Sequence, residues 1–176
     1  MGEDKAFISL NGKPLFSYSL EVLKHFTGDI LISTINDRFT ALGYPVIKDE
    51  YKGIGPLGGI YSCLKHISHD KALVIPCDMP FVSHTLIDRI LKEGKEKDLC
   101  IPFDEHDRPV PTLGLYSRHL ISIMEKLIQK KQYKLSRLLT LAYSASVPVS
   151  NEEAILLKNI NTPLELKKAQ SMRSGK

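Results

Sequence analysis

The sequence predicts an α/β fold, a three-layer α/β/α sandwich around a mostly parallel sheet, and three observations lead there. Short apolar runs alternate with stretches of helical periodicity along the chain, the pattern of strands joined by crossover helices. The run over 72–75, Ala-Leu-Val-Ile, is apolar at every position and stops at Pro76, as suits a strand buried on both faces inside a parallel sheet. One acid, Asp78, follows directly. Open α/β sheets bind ligands in the crevice at the carboxyl ends of their strands, so Asp78 is placed as a metal or ligand contact; a turn Asp bonded to nearby backbone is the plain alternative.

In chain order, residues 7–10 form a short apolar segment closed by the turn pair Asn11-Gly12, and Pro14 opens a helix with Phe16, Leu20 and Leu23 on one face. A strand over 30–33, a weak helix over 38–42 and a short strand at 46–47 follow. Residues 49–56 are polar and glycine-bearing, hence loop, and 57–66 read as the helix leading to the central strand. Ser83 caps a helix to about residue 96 with Leu86, Ile87, Ile90 and Leu91 inward. Residues 99–101 and 112–116 are strands on either side of a charged loop over 104–108. Ser117 then caps a helix carrying Leu120, Ile121, Met124, Leu127 and Ile128, and Ser136 caps a shorter one to 142. Strands near 145–149 and 156–160 precede the last helix. Its opening, Thr162-Pro163-Leu164-Glu165, combines a capping box with proline at the first helical position. Residues 1–172 are expected to form one domain, with 173–176 a disordered tail.

Composition narrows the function classes. With 43% hydrophobic and 25% charged residues, a chain of 176 is ordinary for a globular protein and long enough to bury a substantial core. No apolar run approaches the ~20 residues that span a bilayer, and Met1-Gly2-Glu3-Asp4-Lys5 lacks a signal peptide's basic-then-apolar pattern, so a cytoplasmic protein without a membrane partner is expected. Cys63, Cys77 and Cys100 are odd in number and widely spaced, which suggests buried reduced thiols rather than a disulfide frame or a Cys-x-x-Cys metal site. The net charge of +4 sits partly in Lys167, Lys168, Arg173 and Lys176. With no basic stripe interleaved with aromatics and no tryptophan, nucleic acid is not an expected partner.

Residues 53–58 match Gly-x-Gly-x-x-Gly, and Asp78 stands 20 residues further on. The context opposes a dinucleotide fingerprint, because Asp49-Glu50-Tyr51-Lys52 separate the glycines from any strand and Pro56 removes a backbone donor. The loop can still admit a base or phosphate closely, since Gly58 and Gly59 carry no side chain and a helix starts there. His66 and His69 sit at a predicted helix end, where imidazoles are favoured without any metal, and His106-Asp107 belong to a solvated loop. With no Gly-x-Ser-x-Gly elbow, Walker loop or Cys/His dyad, any chemistry leans on a metal.

Four segments together resemble one family, the molybdenum cofactor guanylyltransferases of the nucleotide-diphospho-sugar transferase-like fold. Met1-Gly2-Glu3-Asp4-Lys5 with Leu10-Asn11-Gly12-Lys13-Pro14-Leu15 resembles the second half of the family's opening signature, Leu-Ala-Gly-Gly-x-Ser-x-Arg-Met-Gly-x-Asp-Lys, and its continuation. Val46-Ile47-Lys48-Asp49 with Gly55-Pro56-Leu57-Gly58-Gly59 is similar to its nucleotide loop, Pro76-Cys77-Asp78-Met79-Pro80 to its metal-binding turn, and Asn159-Ile160-Asn161-Thr162-Pro163 to its closing motif. The segments come in the family's order and cover nearly the whole chain.

The resemblance implies a Rossmann-like nucleotidyltransferase fold and transfer of GMP from GTP to molybdopterin, with release of pyrophosphate. Lys5 and Asp78 would be catalytic, and Ser33, Asp49, Gly55, Pro56, Leu57 and Gly58 would join them in binding GTP. Asp78 and Asn161 would hold Mg²⁺, and Asn159 would face the metal or the pterin. Molybdopterin-delivering and molybdoenzyme-maturation proteins would be partners. The related alternatives are a transferase for another nucleotide or acceptor, such as CTP or a sugar phosphate, and a non-catalytic homologue that binds pterin or a protein. Two departures bear on these implications. Ser33-Thr34 stands where the family commonly has asparagine, which touches base selection. The family's first strand and its Gly-Gly-x-Ser-x-Arg loop have no counterpart ahead of Met1, so a core strand and much of the triphosphate cradle are expected to be missing. A start assigned to an internal methionine is the favoured explanation, against a truncated homologue with little transferase activity.

Overall fold

The computed structural model describes residues 4–172. After a 3-10 turn (Lys5–Phe7), β1 (Ser9–Leu10) and β2 (Lys13–Pro14) form a tight antiparallel hairpin, closed by Asn11 and Gly12 at φ +51° and +83°. Both turn residues lie in the left-handed region, as such hairpins require. Helix α1 (Leu15–Phe26) leads to β3 (Ile32–Ser33), and a 3-10 helix (Asp37–Leu42) leads to β4 (Val46–Ile47), which pairs in parallel with β3. Helix α2 (Pro56–His66) crosses to β5 (Lys71–Val74), and α3 (His84–Glu93) to β6 (Leu99–Phe103). Then come β7 (Gly114–Ser117), α4 (Leu120–Gln129), α5 (Leu138–Leu141), β8 (Ser144–Pro148), α6 (Asn151–Leu156) and α7 (Pro163–Met172).

The larger sheet has the order β5-β7-β6-β8, and its two faces alternate along each strand. Cys100, Leu73 and Leu115 pack on one face with Ile87 and Ile90 of α3, while Leu99, Ile101 and Tyr116 pack on the other with Leu57 of α2 and Met124 of α4. That side-chain alternation, with period two, makes the three layers. The α/β sandwich therefore stands, with strand directions more mixed than a mostly parallel sheet: β7 is antiparallel to both β5 and β6, and β8 is parallel to β6. The reason lies in the connection over 104–113, which holds no helix and so cannot carry a parallel crossover.

Several local expectations change. β5 is half-buried at all four positions rather than sealed on both faces, because it is an edge strand of its sheet. The strand expected near 156–160 does not form; instead Ser150 and Glu153 make a reciprocal capping box that starts α6, and the chain leaves it at Leu157. The signal was present as Ser-x-x-Glu. Ser117 accepts a bond from the His119 N–H at 3.2 Å and shapes the turn before α4 rather than capping it, and Ser136 lies inside a 3-10 turn (Leu135–Arg137) without a capping bond. By contrast Ser83 caps α3, and Thr162 and Glu165 exchange bonds of 3.2 and 2.8 Å at the start of α7, as their spacing predicts. The thiols are free, but Cys100 alone is buried, Cys63 is half-buried and Cys77 is exposed. The tail 173–176 lies outside the described residues. Among the described residues, no helix is long and apolar enough to cross a membrane.

Candidate active site

The turn after β5 carries Asp78, anchored by the buried side chains of Met79 and Val82 that follow it. The Ile160 N–H donates to the Asp78 carbonyl at 2.9 Å, which pins the segment before α7 against this turn. Two asparagines are thereby delivered to the acid from about 80 residues away in sequence. Asn161 Oδ1 accepts from Lys5 Nζ at 2.6 Å, and Asn159 Oδ1 is buried without a hydrogen-bond partner. An unpaired buried acceptor is costly unless a ligand completes it. Lys5 is held by its own turn, in which Asp4 Oδ1 accepts from the Ala6 N–H at 3.1 Å while Asp4 Oδ2 accepts from Asn36 Nδ2 at 2.6 Å.

A second cluster faces the same cavity, of about 990 Å³. Ser33, at the end of β3, donates to Asp49 Oδ1 at 3.1 Å. Gly58 and Gly59 of α2 pack so closely beneath this pair that a Cβ on Gly59 would lie 2.5 Å from Ser33 Oγ, and one on Gly58 2.8 Å from the Tyr51 carbonyl. Only glycine lets the helix approach so near. Gly55, at φ +68°, ends the loop as the α2 N-cap, and Pro56 takes the first helical position.

The cavity wall holds Ser33, Asp49, Gly55, Pro56, Asp78 and Asn159 of the residues singled out by sequence. Lys5, Asn161 and Gly58 stand outside the wall, the first two joined to each other and Gly58 packed against the Tyr51 carbonyl. That bond occupies the Asn161 oxygen expected on the metal. Leu57 differs more: its side chain is fully buried in the core beside α4, so its main chain alone can serve a nucleotide. Asp4 and Thr112 also line the cavity without having been singled out. Asp4 had a signal in its adjacency to Lys5, whereas Thr112 sits in an ordinary loop ahead of β7 and had none. The histidines do not converge: His66 Nδ1 bonds the Ser62 carbonyl of its own helix and His69 pairs with Asp29.

Burial raises the Asp78 carboxyl above its ordinary range, opposed by a bond from its own main chain and by the Lys5 charge. The acid is thus one that the fold would hold more comfortably neutral, a common sign of a functional rather than structural carboxylate. No cluster of three His, Cys, Asp or Glu suited to a metal occurs among the described residues. Asp78 and Asn159 line one cavity on segments joined by the Ile160–Asp78 bond, and offer one carboxylate and one amide oxygen, a set that suits a cation keeping several waters.

The chain is similar to known proteins along nearly its whole length. The family described as MobA-like NTP transferase domain matches residues 1–147. A probable molybdenum cofactor guanylyltransferase of Geobacillus sp. (strain WCH70) is 32% identical over 93% of this chain and 88% of its own length. The molybdenum cofactor guanylyltransferase of Yersinia pseudotuberculosis serotype O:1b is 31% identical over 99% and 90%. Among solved structures, molybdopterin-guanine dinucleotide biosynthesis protein A from Archaeoglobus fulgidus superposes with a TM-score of 0.81 at 28% identity, covering 99% of this chain and 93% of that one. The 2-C-methyl-D-erythritol 4-phosphate cytidylyltransferase of Thermus thermophilus, 18% identical with a TM-score of 0.73 over 97% and 94%, shares the fold.

Proposed function

The chain belongs to the MobA-like NTP transferase family, and from that premise we propose that it transfers GMP from GTP to molybdopterin. An oxygen of the pterin's phosphate attacks the α-phosphorus, the bond to the bridging oxygen breaks, and pyrophosphate leaves with the electron pair. Anions are brought together throughout, so positioning and positive charge matter more than proton transfer. The observation that carries this reading is the convergence on one cavity of the Ser33–Asp49 pair over its glycines with the Asp78 turn and its unpartnered Asn159 oxygen.

In this assignment the Asp49 carboxylate accepts the ring N–H and amino group of guanine, with Ser33 orienting it. Gly58 and Gly59 let the Tyr51 main chain and the Ser33–Asp49 pair close on α2, which sets the position of the pair that meets the base. Lys5 neutralises the phosphates, held at its Nζ by Asn161 Oδ1. Asp78, with Asn159, would hold Mg²⁺, which when bound supplies charge on the phosphate oxygens. Molybdopterin-delivering and molybdoenzyme-maturation proteins in the cytoplasm complete the setting.

The test is incubation with GTP, Mg²⁺ and molybdopterin, following pyrophosphate release. Turnover with GTP that is absent with CTP supports the assignment; turnover with CTP alone, or only with a sugar phosphate as acceptor, overturns it.

A further inference from the structure

We propose that Asp4 and Asn36 form a positioning latch for the nucleotide site. Their side-chain bond fixes the turn that carries Lys5 against the loop that follows Ser33, and so sets the distance between the phosphate end of the site and its base end. The latch rests on the assignment above for what Lys5 and the Ser33–Asp49 pair hold, and adds what keeps the two in register.

The bond is a meeting of two caps. Asp4 Oδ1 accepts from the Ala6 N–H at 3.1 Å and starts the 3-10 turn Lys5–Phe7. Asn36 Oδ1 accepts from the Arg38 N–H at 3.0 Å and starts the 3-10 helix Asp37–Leu42. A main-chain N–H only donates, so the Asn36 oxygen is committed there and its Nδ2 is left to face Asp4. Asp4 Oδ2 accepts it at 2.6 Å, across 32 residues of chain.

The main chain does not make this join. Among the described residues, the β1–β2 hairpin and the β3–β4 ladder belong to separate sheets, and no main-chain hydrogen bond runs between 4–8 and 31–42. The remaining contact is apolar: the Phe7, Phe16 and Phe39 rings meet at 4.8, 5.1 and 5.3 Å, and the Arg38 guanidinium lies 3.8 Å over the Phe7 ring. Apolar burial is non-directional, whereas a hydrogen bond fixes both distance and angle. The latch also sits at the two ends to be tied. Lys5 follows Asp4 directly, with its Nζ on Asn161, and Asn36 stands three residues after Ser33, with its N–H on Thr34 Oγ1 at 3.1 Å. Asp4, Ser33 and Thr34 line one cavity. A carboxylate beside phosphates repels them, so what the site uses at Asp4 is its acceptor geometry and not its charge.

A nucleotide that bridges both ends gains from their being pre-set, and a fragment that touches one end does not. The experiment titrates the full chain with GTP, guanosine and inorganic triphosphate at constant Mg²⁺, followed by NMR. Asp4→Asn sets amide donor against amide donor and should weaken GTP about tenfold, with guanosine changed less than about twofold and triphosphate bound no more weakly. The lost negative charge alone would tighten GTP, so the sign separates the two effects. Asn36→Asp sets carboxylate against carboxylate and should also weaken GTP. Combining the two substitutions restores one donor facing one acceptor and should return the GTP affinity to within about threefold of the parent. Should Asp4→Asn not fold, Asn36→Ala carries the same comparison of GTP with its fragments. GTP binding by Asp4→Asn that equals or exceeds the parent's overturns the latch. So does equal weakening of all three ligands, or a double variant no better than the single ones. A parent that does not bind GTP overturns the nucleotide assignment and the latch with it, whereas the other outcomes leave that assignment standing.

Discussion

Two halves of the molecule bury their strands to very different degrees. In β6 and β7 nearly every residue is buried, between α3 on one face and α2 with α4 on the other. In β3, β4 and β5 the residues are half-buried or exposed, and β3 with β4 forms a separate two-stranded ladder. The comparison separates stability from function. The first half satisfies its own hydrogen bonds and packing, whereas the second ends in open edges, and it holds Ser33, Asp49 and Asp78. Sites are drawn from such less stable regions because ligands must enter and complete them.

The sharpest break of this contrast is Asp78→Asn. Turnover should fall about a hundredfold or more, measured by pyrophosphate release, while the fold gains. A carboxyl raised in the folded state contributes stability that is present at low pH and lost as pH rises through its folded pKa. The variant should therefore melt higher than the parent at pH 7, with the gap closing toward pH 4. A lower melting temperature at pH 7 would make Asp78 structural.

Next comes a matched pair. Ile87→Ala, at a fully buried position under the four-stranded sheet, should cost about 3 kcal/mol in urea unfolding. Leu23→Ala, at a half-buried position lining the cavity, should cost about 1 kcal/mol or less. Equal losses would erase the distinction between the halves. Gly59→Ala tests the base platform: its Cβ would displace Ser33 Oγ, so KM for the nucleotide should rise roughly tenfold with a smaller change in kcat. Adding Ser33→Ala should recover part of that rise, which a general loss of fold would not allow.

The smallest effect belongs to a helix start remote from the cavity. Glu153 has its carboxyl held below the usual range first by the Ser150 main chain and then by Arg89, 2.6 Å away. Its contribution is present above the ordinary Glu value and lost as pH falls through the depressed one. Glu153→Gln should cost about 1 kcal/mol at pH 7 and less near pH 3, read from unfolding curves at the two pH values, without altering turnover.

Elements that depend on neighbours in sequence were legible. The Asn11-Gly12 turn and the Ser83 and Thr162 caps follow from local sterics and hydrogen bonding and formed where expected, while α2 starts one residue before its expected bound, with Pro56 in the first helical position. The 156–160 strand misled because the short apolar run over 154–157 suits strand or helix equally, and the capping box upstream decided for a helix that ends at Leu156. The candidate site was legible residue by residue through its resemblance to a family. Its internal contacts were not: Asn161 on Lys5 and Ser33 on Asp49 join groups 156 and 16 residues apart.

The sequence by itself therefore determined the alternation of strands and helices, the helix starts at Ser83 and Thr162 and the family, because each is written in local pattern. Only the tertiary structure decided that β7 runs against its neighbours and that β5 is an edge. It also decided that Leu57 serves the core and Asn159 faces the cavity unpaired. Those outcomes turn on which surfaces meet across long chain separations, and the buried area and hydrogen bonds that settle them exist only once the layers have packed.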